Sequence, residues 1–168
     1  MRGINQDYQS RCLNRLKEWG APLEGWQCIK TFDVFDGNSN TYATCELCHC
    51  EKVRFVHIMR HEDFYMDIHV GCICAGIMEG NILAARERER IAKNRSKRKQ
   101  HFPHRKWKTA ANGDLYLTYK RLQLVIYQST RDLFYVKYGD QKIFSYHGKP
   151  IKDQLSGVYA AFDLVDKS

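Results

Sequence analysis

The sequence predicts an α+β protein that begins with a small cysteine-containing module, continues with a basic helix and ends with a small antiparallel β-sheet and a C-terminal helix. Three observations lead to this fold class. Two close cysteine pairs flank a β-hairpin pattern, one segment accounts for the net positive charge of the chain, and the C-terminal third alternates short β-type runs with turns before a last amphipathic segment. We place the three parts at residues 1–80, 81–106 and 107–168.

The first elements are a helix and a strand. Residues 5–19 repeat apolar side chains at helical spacing, which predicts a helix that ends at Gly20. Residues 26–35 have the composition of an extended strand, and residues 36–40 are rich in Asp, Asn, Gly and Ser and predict a turn. The apolar positions of the helix are Tyr8, Cys12, Leu16 and Trp19.

Cysteine spacing is the strongest signal in the chain. Cys45 and Cys48 form a C-x2-C pair, and Cys72 and Cys74 form a C-x-C pair after a further 23 residues. A C-x2-C turn directs two thiolates to one side of a tight backbone reversal, and four thiolates at tetrahedral distance are typical of a structural Zn²⁺ site. We therefore predict one zinc ion bound by these four residues.

Simple burial or disulfide pairing accounts for fewer of the cysteines than a metal site does. Burial as small hydrophobic side chains explains one or two of them but not two close pairs. The seven cysteines are an odd number and no signal-peptide pattern precedes them, so we expect a reducing, cytoplasmic location that favours metal over disulfides. Cys12 and Cys28 are interpreted as isolated core or surface thiols, and His49, Cys50 and His69 are expected to lie outside the ligand set.

The residues around the cysteines predict the fold of this module. Two β-type runs, residues 52–59 and 64–70, are separated by a polar turn, and a helix-like segment begins at Cys72. This order of elements is the outline of a treble-clef zinc finger, which has a knuckle, a hairpin and then a helix whose first turn carries the last ligands. Ligands at the start of a helix also gain from the helix dipole, which stabilises thiolate.

The positive charge is concentrated in one segment. The segment from Arg86 to Lys108 contains eleven Lys or Arg and two Glu, whereas the whole chain has a net charge of +8. Asn81 is a candidate N-cap for a helix over residues 82–100. Such a basic segment predicts a polyanionic partner, and the absence of an apolar run of about 20 residues argues against a membrane partner.

The C-terminal part is predicted to be an antiparallel sheet with a helix on one face. Three or four strands under one helix would leave the other face of the sheet open. The predicted strands are residues 115–119, 122–127, 133–138 and 142–146, and the predicted helix is residues 151–166.

Two stretches resemble known proteins. The stretch from Cys45 to Gly80, with its C-E-L-C and V-G-C-I-C-A-G motifs, resembles small bacterial and phage zinc proteins that carry no functional name. The stretch from Phe134 to Asp163 is similar to the three-stranded-sheet-plus-helix DNA-binding domains of ethylene-response factors and of phage-borne integrases and homing enzymes. This resemblance implies a sheet that lies in the major groove. Tyr replaces most of the Trp of that family, which favours contacts with the DNA backbone over base-specific contacts.

The sequence thus predicts a zinc-stabilised nucleic-acid-binding protein of bacterial or phage type, with DNA expected before RNA. Several phosphate contacts by Lys and Arg give substantial affinity through counterion release. The predicted contact residues are Lys93, Arg95, Lys97, Arg98, Lys99, Arg105, Lys106, Lys108, Arg121, Arg131 and Lys137.

Two further functions are kept open. The first is a protein-interaction adaptor or inhibitor that acts on a nucleic-acid enzyme, because basic proteins also bind acidic protein surfaces. The second is a His-Me finger-like endonuclease that uses His57 and His61, with His57 as the strand histidine base and Glu62 and Asp63 nearby. A closed four-thiolate zinc site argues against the nuclease, so an enzyme is not the favoured interpretation and no catalytic residue is assigned.

Overall fold

The computed structural model describes residues 4–37 and 39–166 and shows a mixed α+β chain with antiparallel sheets. The chain forms two compact units, one ending at Ser96 and one beginning at Lys97. The boundary falls inside a single helix rather than at its ends. Within the described residues, no helix is long and apolar enough to cross a membrane.

The first unit consists of a three-stranded antiparallel sheet with helices before and after it. The strands are hydrogen-bonded in the order β1-β2-β3. The elements are α1 (Gln6–Glu18), β1 (Gln27–Asp33), β2 (Phe55–Arg60), β3 (Ile68–Val70), α2 (Cys72–Glu79) and the start of α3 (Ile82–His101).

Capping residues mark where α1 and α3 begin and where α2 ends. The Asn5 side chain accepts a hydrogen bond from the N–H of Asp7 at the start of α1. Gly80, with φ 73°, ends α2 in the left-handed conformation. The next residue, Asn81, accepts a hydrogen bond from the N–H of Ala84 at 3.0 Å and starts α3 at once, as predicted.

The core of the first unit joins α1, the sheet, α2 and α3. Trp26, Leu16 and Met59 are almost fully buried in it, and so is Ala85 of α3. Helices α2 and α3 approach closely at Gly76, where an added Cβ would lie 2.8 Å from the Cα of Ile82. A side chain at position 76 would therefore force the two helices apart.

One predicted strand of the first unit is much shorter than expected. Of residues 64–70, only Ile68–Val70 pair with β2. Phe64 packs its ring against Trp26 at 5.5 Å, and Tyr65 is exposed. The apolar pattern here comes from a loop that covers Trp26 and not from a pleated strand. Asn38, in the predicted turn at residues 36–40, lies outside the described residues.

The second unit is a five-stranded antiparallel meander covered by one helix. The sheet has the order β4-β5-β6-β7-β8, and a separate two-stranded ribbon pairs β9 with β10. A single 3₁₀ turn, Phe102–His104, follows α3. The elements are β4 (Lys108–Thr109), β5 (Leu115–Tyr119), β6 (Leu122–Thr130), β7 (Leu133–Tyr138), β8 (Gln141–Ile143), β9 (Ser145–Tyr146), β10 (Lys149–Pro150) and α4 (Gln154–Val165).

Helix α4 buries the inner face of this sheet. Val158 and Phe162 of α4 pack against Leu124, Ile126 and Val136, which alternate along the two central strands. The prediction of an antiparallel sheet under a C-terminal helix is thus confirmed. The sheet has one more strand than predicted, because the two-residue strand β4 is too short to show a pattern.

Candidate metal centre and cationic sheet face

The C-x2-C motif forms a tight turn that exposes one sulfur to backbone N–H groups. The bridge between Ala43 and Val53 closes the loop on either side of the turn. Within the turn, the N–H of Cys48 donates to Cys45 Sγ at 3.5 Å, and the N–H of His49 donates to the Cys45 carbonyl at 2.9 Å. A sulfur that accepts backbone N–H groups is stabilised as thiolate, which is the form that binds metal.

Three of the four predicted ligands come together. The sulfurs of Cys45, Cys48 and Cys74 lie within 4.8 Å of one another and can hold a metal ion. Cys45 and Cys74 are buried, and Cys48 is partly buried. This cluster joins the turn to α2.

Helix α1 places two further groups next to one sulfur of the cluster, that of Cys74. Cys12 Sγ lies 3.8 Å from Cys74 Sγ, and the Tyr8 hydroxyl lies 3.1 Å from the same sulfur. Tyr8 and Cys12 are four residues apart, so both project from one face of α1. The helical spacing of these two residues was visible in the sequence, but nothing in the linear pattern linked them to cysteines more than 30 residues away.

The fourth predicted ligand, Cys72, is not part of this group, although it lines the same cleft as Cys45, Cys48 and Cys74. Successive helical residues are rotated by about 100°, so Cys72 and Cys74 in α2 point to nearly opposite sides. Cys72 is instead grouped with His57 of β2 and Glu89 of α3, and their ligand atoms also lie within 4.8 Å of one another.

The electrostatics of the two groups favour cations. The pKa of Cys45 is lowered to about 5 by its interaction with Cys74 and by backbone N–H groups, which outweigh burial. Burial lowers the pKa of His57, but its interactions with Cys28, Cys72 and Glu89 raise it to about 10. An imidazole held protonated by its surroundings indicates a site rich in negative charge.

The remaining candidate ligands lie outside both groups. Cys50 and His69 are exposed, and His49 contacts Arg15 of α1. The candidates for nuclease chemistry are also separated, because His57 is fully buried whereas Glu62 and Asp63 are exposed.

Most cations of α3 that were predicted to contact nucleic acid are paired with carboxylates inside their own unit. Lys93 lies 3.4 Å from Glu89, and Arg95 lies 3.8 Å from Asp36. Arg98 lies 3.1 Å from Asp166. Lys97 is exposed.

Lys99 departs furthest from the predicted role. Its side chain is buried, its ammonium lies 3.0 Å from Asp163, and it also sits over the rings of Tyr146 and Tyr159. This residue ties α3 to α4 within the second unit and does not belong to an exposed cationic surface.

The remaining predicted contact residues are exposed or partly exposed in the second unit. Arg105 stacks its guanidinium over Tyr119 at 5.4 Å, and Lys106 follows it. Arg121 and Arg131 lie in the turns after β5 and β6.

The outer face of the sheet, opposite α4, carries a row of residues that crosses all five strands. Lys108 pairs with Tyr116, Tyr116 with Val125, Val125 with Lys137, and Lys137 with Lys142. We call these five residues the cationic row. In the part of the chain that the structure describes, no carboxylate forms a salt bridge with its three lysines. Lys142 was not among the predicted contact residues, because its alignment with Lys137 depends on strand register.

Aromatic side chains lie beside the cationic row on the same face. Tyr127 stacks on Tyr135 at a ring-centroid distance of 5.0 Å, and Tyr135 stacks on Phe144 at 5.3 Å. Phe144 is 60% exposed although it is a large apolar residue. Comparisons with protein-family models, with curated proteins and with solved structures found no match to this chain.

Proposed function

We propose that the first unit is a treble-clef-like module folded around a structural Zn²⁺, with Cys45, Cys48 and Cys74 as ligands and Cys12 in place of Cys72 as the fourth. Four thiolates at about 2.3 Å from a tetrahedral zinc lie about 3.8 Å apart. The Cys12–Cys74 separation of 3.8 Å matches this value. Thiolates are also the donors that select Zn²⁺ over Mg²⁺ or Ca²⁺.

Two serine variants test the choice of the fourth ligand. Cys12→Ser should release the ion at a lower chelator concentration and lose amide-exchange protection in the first unit, because metal binding is coupled to folding. Cys72→Ser should keep this protection. Cys50→Ser is the control for replacing a thiol outside both groups, because Cys50 is exposed. If Cys72→Ser loses protection and Cys12→Ser retains it, the assignment is wrong.

We further propose that the second unit binds nucleic acid, with DNA as the expected ligand, through the outer face of its sheet. The observation that carries this proposal is the cationic row. Three lysines without carboxylate partners are aligned by strand register, so all three can neutralise phosphates of one ligand and release its counterions.

The aromatic residues beside the row add a second contribution. Tyr127 and Tyr135 can contact bases or sugars with their ring edges, and Phe144 can do so with its exposed ring. Stacking of bases on aromatic side chains contributes about 1–3 kcal/mol per base, and it does not require a particular base sequence. Arg121 and Arg131 at the ends of the strands extend the positive field.

A charge-matched pair of variants tests this proposal. Lys137→Glu with Lys142→Glu should weaken binding of single- or double-stranded DNA by at least about 10-fold at low salt and reduce the salt dependence of log K by about two units. Lys149→Glu with Lys152→Glu makes the same change in net charge on exposed residues outside the row. Fluorescence anisotropy on labelled DNA and RNA over a salt titration provides the measurement. Equal loss in both variants would indicate a general charge effect, and no binding at low salt would leave a protein partner as the function.

A further inference from the structure

The first unit contains a second group of metal-binding atoms that the four-thiolate site does not use. It consists of the imidazole of His57, the thiol of Cys72 and the carboxylate of Glu89. These side chains come from β2, α2 and α3, so the site is assembled by the packing of the unit and not by one local motif.

One nitrogen of this group is buried without a hydrogen-bond partner. The His57 side chain is 0% exposed, and its Nε2 makes no hydrogen bond among the described residues. The nearest carboxylate oxygen, Oε1 of Glu89, is 3.9 Å away. A buried polar atom without a partner costs about 1–3 kcal/mol, so its retention requires an explanation.

The other ring nitrogen is already held in place. Nδ1 of His57 lies 3.4 Å from the Thr31 hydroxyl. A metal ion that replaces the proton on Nε2 would leave the proton on Nδ1 to be donated to the Thr31 hydroxyl, with Nε2 facing the Glu89 carboxylate. A hydrogen bond from the second ring nitrogen is the usual way in which proteins orient a histidine that binds a metal.

The group also has access to solvent on one side. Cys72 and Glu89 line a cleft of about 450 Å³ that is also bordered by Tyr42 and Phe55. His57 is fully buried and does not line the cleft. One nitrogen, one sulfur and one carboxylate oxygen, with free space on the fourth side, correspond to a zinc site that has three protein ligands and one exchangeable position.

We propose that His57 Nε2, Cys72 Sγ and the Glu89 carboxylate bind a second Zn²⁺ that keeps one coordination position open toward the cleft. Its ligand in that position is water or a small anion that displaces water. This proposal is independent of nucleic-acid binding. It shares two features with the four-thiolate site: Cys45, Cys48 and Cys74 line the same cleft, and Cys72 is placed outside that site.

Metal stoichiometry on the full chain tests the proposal, with Co²⁺ as a spectroscopic probe. The unmodified chain should bind two equivalents of Zn²⁺ or Co²⁺, and Glu89→Gln should bind one. Glu87→Gln is the matched control, because Glu87 is an exposed residue of the same helix that pairs with Arg90. It should still bind two equivalents.

Azide then tests whether a position is open. It should change the visible absorption of the chain loaded with two Co²⁺ and leave that of Glu89→Gln unchanged, because a closed four-thiolate site has no exchangeable ligand. A single equivalent in the unmodified chain, with no effect of Glu89→Gln, would overturn the second site. If Cys72→Ser also weakened that single equivalent, Cys72 would belong to the four-thiolate site.

Discussion

The two units differ in how their reactive and charged side chains are used. All seven cysteines lie in the unit that ends at Ser96, and the unit that begins at Lys97 contains none. The first unit has thiols at the junction of its helices and its turn, where a metal can join them. The second has an apolar core between α4 and five strands.

A second contrast concerns the cations. Most of the predicted contact residues of α3 pair with carboxylates within their own unit, whereas no carboxylate among the described residues forms a salt bridge with the lysines of the cationic row. Lys and Arg are concentrated in α3 along the sequence, but most of the predicted contact residues there form such pairs. Within the described residues, the lysines of the cationic row on the sheet do not. Local charge density is therefore a poor guide to a binding surface until its partners are known.

Metal removal should produce the largest difference between the units. We expect a strong zinc chelator to abolish amide-exchange protection in the first unit and to leave β5, β6 and β7 protected. The reason is that the free energy of metal binding is largely folding free energy in small metal-binding modules. Hydrogen–deuterium exchange with and without chelator provides the measurement, and equal loss in both units would contradict the comparison.

Lys99→Ala should have the next largest effect, and it should affect the second unit. It removes a buried ammonium that pairs with Asp163 at 3.0 Å and lies over two tyrosine rings. We expect a loss of about 2 kcal/mol, below the value for a fully buried pair because Asp163 is partly exposed. Exchange protection in α4 reports the change. Lys97→Ala, at an exposed neighbour in the same helix, should change stability by less than about 0.5 kcal/mol.

Asp33 should make the first unit sensitive to acid. Burial raises the pKa of Asp33, but hydrogen bonds from Arg54, Phe35 and Ser96 outweigh it and lower the pKa below 3.8. A folded-state pKa below the unfolded value stabilises the unit above about pH 4, and this contribution is lost as the pH falls through the folded-state pKa.

Asp33→Asn should therefore cost about 1–2 kcal/mol at pH 7 and less at the lowest pH at which the cysteine cluster keeps its metal. Urea unfolding at both pH values measures the difference. Protonation of the thiolates affects both proteins equally, so the difference between them isolates Asp33. A cost that does not change with pH would assign the effect to packing.

Single substitutions in the cationic row and in α3 should give the smallest effect, a change in the salt dependence of DNA binding. Lys142→Ala should reduce the slope of log K against log salt by about one unit, because it removes one phosphate contact. Lys97→Ala should leave the slope unchanged. Anisotropy titrations on one DNA at several salt concentrations test both variants. A reduced slope for Lys97→Ala and an unchanged slope for Lys142→Ala would place the interface on α3.

Periodic elements could be predicted from the sequence because their pattern is local. Strands β5 and β7 have the predicted bounds, and α1 differs from its prediction by one residue at each end. Loops that mimic strands could not be recognised, since the apolar residues 64–66 differ from a strand only through their contact with Trp26.

The candidate sites were predictable only in part, for reasons of geometry. The C-x2-C turn and Cys74 follow from spacing, but the position of Cys72 depends on the helical rotation between residues 72 and 74. The contribution of Cys12 depends on how α1 packs against α2. Likewise, the cationic row depends on the register of five strands, which residue composition does not specify.

The sequential order of the second sheet has a consequence for how the chain acquires its structure. Each strand from β4 to β8 pairs with its neighbour in the chain, so its contacts close short loops. The first unit must instead bring together Cys12 and Cys74, which are 62 residues apart. Because folding rates fall as contacts become less local, we expect the C-terminal meander to fold quickly although it is synthesised last. The N-terminal unit would then be the slow step, and its rate would depend on the supply of metal.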